Sequence, residues 1–579
     1  MFRRTQLIGI ITICVFFGLT LLFLEREPAS FVDQPSPPTR QKVVVPDVQT
    51  EISSSEHPTT HPIDQLIRDA EEEFRSVKNR QSKSLEDAVQ EYKRRYKVHP
   101  PPKFDQWYKF AKAKGVQLID EFDTIYHSLL PFWALKPSVI RARAREALGY
   151  DNALLGLLIR NGQVISAAGG TEWQQVSTVQ MVKNFVQHLP DLDLPFNIHD
   201  EPRVIVPHDD LSRLVAIASD QNMPAAFKIP APKNKFSPRP ADMDDGKRFH
   251  EFKASRFNKF AHQATWTHSR QSCSPHSPSR ALDDSPVDDV SPYSFSELGF
   301  ISNKTAFTDI CLSPSLRERY GFFNRPNAFD IVHDLFPIFS QSKVSSYQDI
   351  LYPSPWYWSE KVPYREEEDY GWEQKKDQMY WRGSTTGGFS RDGGWRHQHR
   401  QLIVGNINAL STGQGLEMRT HNGSAAWEVV EVPQVKRKSL FNVQFSHVGQ
   451  CDPEDCDAQR EFFNVTEPES QYVAWGYKYL LDMDGNAFSG RFYAFLRSHS
   501  LVFKMAMFRE WHEEWLRPWV HYVPLSLKGD EHIESVRYFR DEATGKIQGP
   551  KMAKSGREWA ARALRQDDFE VWLFRLLIE

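Results

Sequence analysis

The stretch Tyr477–Phe492, YKYLLDMDGNAFSGRF, decides how this chain is read. Its first half is apolar and strand-like, and it ends at Asp484, Gly485 and Asn486, residues that break strands and open turns. Two chemistries compete for this turn. Asp482 and Asp484 alternate at a strand end, where both carboxylates can face one divalent ion. Otherwise the turn feeds a helix with Phe488, Phe492 and Phe495 or Leu496 on one face, and the free N–H groups at its start suit phosphate oxygens. Arg491 then supplies a planar fork that pairs bidentately with a diphosphate. A tight strand–helix turn carrying a surface arginine fits the same spacing.

A second segment has related chemistry: Tyr380–Val404, YWRGSTTGGFSRDGGWRHQHRQLIV. Ser384, Thr385 and Thr386 offer hydroxyls, its glycines let backbone approach a ligand, and Arg382, Arg391 and Arg396 carry positive charge. It contains no Gly-Lys-Ser/Thr, so it is not a P-loop. Taken alone it reads equally as a flexible lid.

Around these segments, short apolar runs alternate with helical patterns. ALLGLLIRNG and QVISAAGG read as a strand pair with a turn, STVQMVKNFVQHLP as a helix, and LDLPFNIHDEPRVIVP as a strand followed by a loop. RQLIVGNIN, KYLLDMDGN, SLVFKMAM and WVHYVPL are strand-like, and REWAARALRQDDFEVWLFRLLIE is a closing helix with Trp559, Leu564, Val571 and Leu573 inward. The alternation argues for α/β layers with parallel sheets. Ser269–Pro292 reads as an irregular insertion, and no internal repeat is evident.

With 579 residues the chain exceeds what one core fills, so two or more domains are expected. A net charge of -4 and only short basic clusters, such as Lys93-Arg94-Arg95, argue against a nucleic-acid partner. Arg3 and Arg4 precede an uncharged, mostly apolar run over 7–24, closed by Glu25, Arg26 and Glu27. Its length spans hydrocarbon as a helix, and the leading arginines favour a cytosolic N-terminus. A type II signal anchor is expected, with a cleaved signal peptide as its rival. Residues 1–6 are then a cytosolic tail, 25–62 a Pro/Ser/Thr-rich flexible stem, and 63–100 a helical neck that HPPPKF closes. Cys273, Cys311, Cys451 and Cys456 form an even set outside the anchor, as a lumenal compartment allows. Cys273–Cys311 with Cys451–Cys456 is one of three possible pairings. Sequons stand at Asn303, Asn422 and Asn464.

YWRGSTTGG, YKYLLDMDGNAFSGRF, SLVFK and RPWVHYVPL, in that order, resemble the signature of glycosyltransferase family 90. FDQWYKFAKAKGVQLIDEFDTIYHSLLPFWAL and DICLSPSLRERYGFFNRP are similar to its fungal branch. The resemblance implies a GT-B fold, two Rossmann-like domains facing a cleft: an acceptor-side domain over 101–375 and a UDP-sugar-binding domain over 376–579. It implies an inverting transferase moving xylose or glucose from a UDP-sugar to a glycan or glycoprotein, in the Golgi or endoplasmic-reticulum membrane. Carried over by motif, Asp200 in NIHDEP is the catalytic base and Ser384 binds the donor. Arg396, with Arg391 as competitor, and the run Asn486, Ala487, Phe488, Ser489, Gly490 and Arg491 complete the donor site. His521 is a weaker candidate for donor contact. No metal or other cofactor is expected to be essential. The alternatives are a metal-dependent GT-A transferase using Asp482 and Asp484, and a non-catalytic lumenal glycan-binding protein.

Overall fold

The computed structural model describes residues 60–579 apart from 231, 245–250, 261, 282–286, 329, 422, 423, 528 and 530. The expected anchor over 7–24 lies outside the described residues, as do the cytosolic tail, nearly all of the stem and Asn422. Among the described residues no helix is long and apolar enough to cross a membrane.

The chain enters through helix α1 (Pro62–Asn79), with proline in its first turn and the His61 ring accepting the Ile63 N–H as a cap. Its apolar stripe, Ile63, Leu66, Ile67, Phe74 and Val77, is buried, so this part of the neck is built into the body. His61 also contacts Glu534 at 2.9 Å, and Tyr538 donates its hydroxyl to Asp64. Helix α2 (Leu85–Tyr96) starts at a Ser84/Asp87 capping box, stops at left-handed Lys97, and gives way across the proline run to α3 (Phe104–Ala113).

Strands β1 (Leu154–Arg160) and β2 (Gln163–Ala168) form the expected hairpin. Asn161 and Gly162, both at positive φ (51° and 73°), make the two-residue turn that such a pair favours. Helix α4 (Glu172–Val182) leads back to β3 (Leu192–Asn197), and β4 (Phe339–Ser340) and β5 (Ile350–Leu351) complete a sheet ordered β2-β1-β3-β4-β5. It is mixed: β1 runs antiparallel to both neighbours, whereas β3, β4 and β5 are parallel. The short helix α5 (Pro355–Trp358) follows β5.

The second sheet begins at β6 (Lys376–Ser384), followed by α6 (His399–Asn408), a hairpin of β7 (Gly413–His421) and β8 (Ser424–Val432), and β9 (Phe441–His447). Then come β10 (Tyr477–Met483), α7 (Phe492–Arg497), β11 (Leu501–Met505) and β12 (Val523–Pro524). Its order is β9-β6-β10-β11-β12, parallel throughout. RQLIVGNIN, expected as a strand, is α6: Ile403 and Ile407, one helical turn apart, are buried with His399 and Val404, and this face packs on the sheet's core. The β-branched run suggested a strand, and the tertiary face decides otherwise. WVHYVPL is mostly loop around the two-residue β12.

The expected closing helix is two: α8 (Ala543–Ala563) and α9 (Gln566–Ile578), broken where Arg565 enters a capping box with Asp568. All four residues expected inward are buried. Helix α9 packs on α3 and α4: the Trp107 indole donates to the Val571 carbonyl at 3.0 Å, and Phe574 stacks on Phe185 at 4.7 Å. Disulfides join Cys273 to Cys311 and Cys451 to Cys456. Asn303 and Asn464 are exposed.

Candidate active site

In a parallel sheet the loops leaving successive strand C-termini gather at one edge, where open α/β sheets place their ligands. Here those loops follow β6 and β10. After β6, the Ser384 and Thr386 hydroxyls lie 2.9 Å apart. Gly387, at φ +120°, has the His399 ring so close that a Cβ would stand 2.5 Å from it, so only glycine fits there. Its N–H donates to the Asn486 side-chain oxygen at 3.2 Å, tying the two loops together.

The brace beneath them is Arg400, from the first turn of α6. Its guanidinium donates to the carbonyls of Ser384 (3.0 Å), Met483 (3.2 Å) and Asp484 (2.8 Å) and to the Thr386 hydroxyl (2.8 Å). Burial first, and then the neighbouring charge of Arg491, push it down to about 10. Sequence reasoning missed Arg400 because its segment was read as a strand; helical spacing was the available signal. Arg396 is exposed and lies over the Trp395 ring at 4.2 Å, while Arg391 pairs with Asp452 at 2.5 Å on the surface. Arg400, rather than either of these, contacts Ser384.

The loop after β10 departs from the expected strand–turn–helix. Eight residues, 484–491, separate β10 from α7, and α7 is a six-residue helix whose first five side chains are buried. The helix start that was to offer N–H groups is displaced to Phe492. Within the donor run, Ala487, Phe488 and Ser489 turn inward, and Ser489 donates to Asp482 at 2.5 Å. Asn486, Gly490 and Arg491 remain half-buried. Arg491 donates one N–H to the Arg382 carbonyl at 2.6 Å. It lies, like Arg400, within 6 Å of the Trp381 ring (5.7 and 5.6 Å). Burial holds its guanidinium below the usual arginine range.

Asp482 and one oxygen of Asp484 are occupied by internal donors, while the other Asp484 oxygen is buried with no hydrogen-bond partner among the described residues. Asp482 takes the Ser489 hydroxyl and the Lys504 ammonium at 3.1 Å. One oxygen of Asp484 takes the Tyr320 hydroxyl (2.8 Å) and the N–H groups of Met507 (2.7 Å) and Phe508 (3.1 Å). Asp484 therefore fastens the loop after β11, not the start of α7. Burial raises it to about 6, against Lys504 and these donors. Among the described residues no three His, Cys, Asp or Glu side chains converge as a metal centre requires.

Asp200 follows the C-terminal end of β3 in the first sheet. Asn197 and Asp349 pin its loop. Asn197 donates to the Glu201 carbonyl (2.7 Å) and accepts from Arg203, while Asp349 accepts the N–H groups of Arg203 and Val204 at 2.9 and 2.8 Å. Asp200 is open to solvent, yet protein crowds it closely enough that desolvation lifts its carboxyl above the ordinary range. Glu201 beside it is buried and pushed to about 8, by burial and then by the Asp200 charge. His199 is driven down to about 4 by burial and then Arg203. His521 is buried and stacked on Trp559 at 5.5 Å with Phe74 edge-on, a core position.

A chain of contacts joins Asp200 to the loop after β10. Buried Gln341 donates to Asp200 at 3.3 Å and accepts from Ser354 at 2.5 Å. Ser354 caps α5, whose Trp356 indole donates to the Gly490 carbonyl at 3.1 Å, and Tyr357 donates to the Ser489 carbonyl at 2.5 Å. A Cβ on Gly490 would stand 2.4 Å from that indole, so residue 490 admits no side chain.

A model of glycosyl transferase family 90 matches residues 323–579. That match places residues 323–579 in glycosyltransferase family 90. The matched part of the chain holds Gln341, Trp356, Ser384, Arg400 and Arg491. Asp200 precedes it and is joined to it through Gln341 and, by way of α5, the loop after β10.

Proposed function

We propose that this protein is an inverting transferase of GT-B type that moves xylose or glucose from a UDP-sugar to a hydroxyl of a glycan or glycoprotein. The second sheet holds the donor and the first presents the base. The observation that carries the reading is Arg491, half-buried with one N–H committed to the Arg382 carbonyl on the strand that leads to Ser384, and joined through α5 to Asp200.

In the reaction the acceptor oxygen attacks the anomeric carbon while the bond to the diphosphate breaks on the opposite face. Asp200 takes the acceptor's proton, and its upward-shifted carboxyl is a stronger base than an ordinary aspartate. Negative charge grows on the leaving diphosphate, where Arg491, already oriented, stabilises it without reorganising. Because Asp482 and Asp484 already have donors, we assign neutralisation of the diphosphate to Arg491 rather than to a divalent ion. The apolar run over 7–24 fits a type II anchor that would place this chemistry in the lumen of the Golgi or endoplasmic reticulum.

The test offers UDP-xylose and UDP-glucose to the full chain and follows UDP release with and without acceptor. Asp200→Asn should lower turnover by roughly 10²–10⁴-fold while UDP affinity is retained. Turnover should fall on the acid side at a pH above the ordinary aspartate range, since protonated Asp200 cannot accept a proton. Turnover in Asp200→Asn near that of the wild type would sink the assignment.

A further inference from the structure

Two tryptophans stand beside this site with no part in the proposed transfer chemistry. Trp173, in the first turn of α4, and Trp356, in α5, are both half-buried, with ring centroids 6.1 Å apart and planes at 80°. Each is tied to one side of the reaction. Gln174, next to Trp173, donates to the Ile198 carbonyl at 3.1 Å, two residues before Asp200. Trp356 donates its N–H to Gly490, next to Arg491. The indoles therefore sit between the base and the donor loop. A shallow surface depression lies beside Trp356, lined by Trp356, Lys361, Gly490 and Arg497 among others. Its rim is charged: Arg497 pairs with Glu360 at 2.9 Å, and exposed Lys361 reaches over the Trp173 ring at 4.2 Å.

We propose that Trp173 and Trp356 form an acceptor subsite that takes a pyranose ring of a glycan, its C–H face stacked on indole and its hydroxyls reaching Lys361, Glu360 and Arg497. A pyranose is amphipathic in the way this lining is, with apolar faces and a polar edge. The Trp356 N–H is already spent on Gly490, so that residue offers its ring rather than its donor. Lys361 is a flexible cation on the Trp173 face, and a sugar ring can displace it. Gly490 leaves the backbone flush against Trp356, which keeps the donor loop close to a ring stacked there.

The proposal rests on the transferase reading, but it is tested without turnover. Full-length protein is titrated calorimetrically with xylohexaose and with mannohexaose, no donor present, in the wild type, Asp200→Asn, Trp173→Ala and Trp356→Ala. Trp173→Phe and Trp356→Phe, which keep a ring, serve as controls. At least one oligosaccharide should bind the wild type and Asp200→Asn alike. Affinity should fall about tenfold or more in each alanine variant and return in the phenylalanine variants, with UDP affinity retained in the Trp173 variants, because Trp356 also holds Gly490. No binding by either oligosaccharide at millimolar concentration overturns the proposal, as does equal binding in the alanine variants. Parallel loss of UDP and oligosaccharide affinity in Trp173→Ala also overturns it, since that result moves the indoles to the donor side. A protein that binds oligosaccharide yet transfers no sugar refutes the transferase reading alone.

Discussion

Arg491→Ala separates a ligand contact from a structural one, because the two leave opposite marks on the unliganded protein. Arg491 donates to one carbonyl, Arg382, and its charge helps push neighbouring Arg400 down to about 10. Removing it loses one hydrogen bond, worth about 1 kcal/mol, and relieves the repulsion of two desolvated guanidiniums. Stability without ligand should therefore change by no more than about 1 kcal/mol. With a diphosphate bound the balance reverses, since hydrogen bonds to charged groups contribute roughly 1.5–3 kcal/mol, and UDP should bind about 10- to 150-fold more weakly. At a UDP concentration well above both dissociation constants, the stabilisation UDP gives should therefore shrink by about 1.5–3 kcal/mol. Calorimetry with UDP, alongside urea denaturation with and without it, reads both quantities. Unchanged UDP affinity would refute the reasoning. So would a loss of several kcal/mol in the unliganded variant, which would make Arg491 a brace like Arg400.

Glu510 is buried beside Lys504 (3.7 Å), with Asp482, Asp484 and Lys304 around it, and burial pushes its carboxyl up to about 8. A carboxylate raised on folding stabilises the fold while protonated, below its unfolded value near 4.5, and that contribution fades as pH rises towards 8. Glu510→Gln should therefore gain on the wild type in melting temperature as pH rises across that window, and parallel curves would refute the assignment. Exhaustive chelation should leave transfer intact, whereas Asp484→Ala should cost several kcal/mol in urea denaturation by orphaning three donors at about 1–3 kcal/mol each. Transfer that stops with chelator and returns with manganese would restore the Asp-X-Asp metal reading.

What the sequence disclosed was periodic or local. Asn161-Gly162 announced its hairpin, Tyr477–Met483 its strand, and the proline run the end of the neck helices, because each is set by a few adjacent residues. Boundaries that depend on packing were not legible. His399–Asn408 has apolar residues compatible with strand or helix, and only the core beneath it selects the helix. The site divides in the same way. Ser384, Asn486 and Arg491 stand in motifs and could be named from the sequence, although the inward turn of Ala487, Phe488 and Ser489 could not. Gln341, Arg400 and Trp356 belong to no local pattern. Their roles come from contacts across 141, 84 and 134 positions of sequence, which a linear reading cannot pair.

Under the proposed transferase reading, the Asp-X-Asp pair has a task other than metal binding. Asp482 and Asp484 act inward, and what they hold is the positive side of the site. Asp482 accepts from Ser489 and Lys504, fixing the curve of the loop after β10, and its charge lies close enough to favour the charged form of Arg491. Asp484 uses one oxygen to gather Tyr320, Met507 and Phe508, while its own carbonyl receives Arg400. Two guanidiniums desolvated side by side are costly to keep ionised, and buried carboxylates within Coulombic reach offset part of that cost. Direct ion pairs would have consumed the arginine donors. Carboxylates that face other partners lend their charge and leave Arg491's fork free to meet an anion. The same pair of residues that suggests a metal thus sustains, in the proposed reading, the positive charge of Arg400 and Arg491.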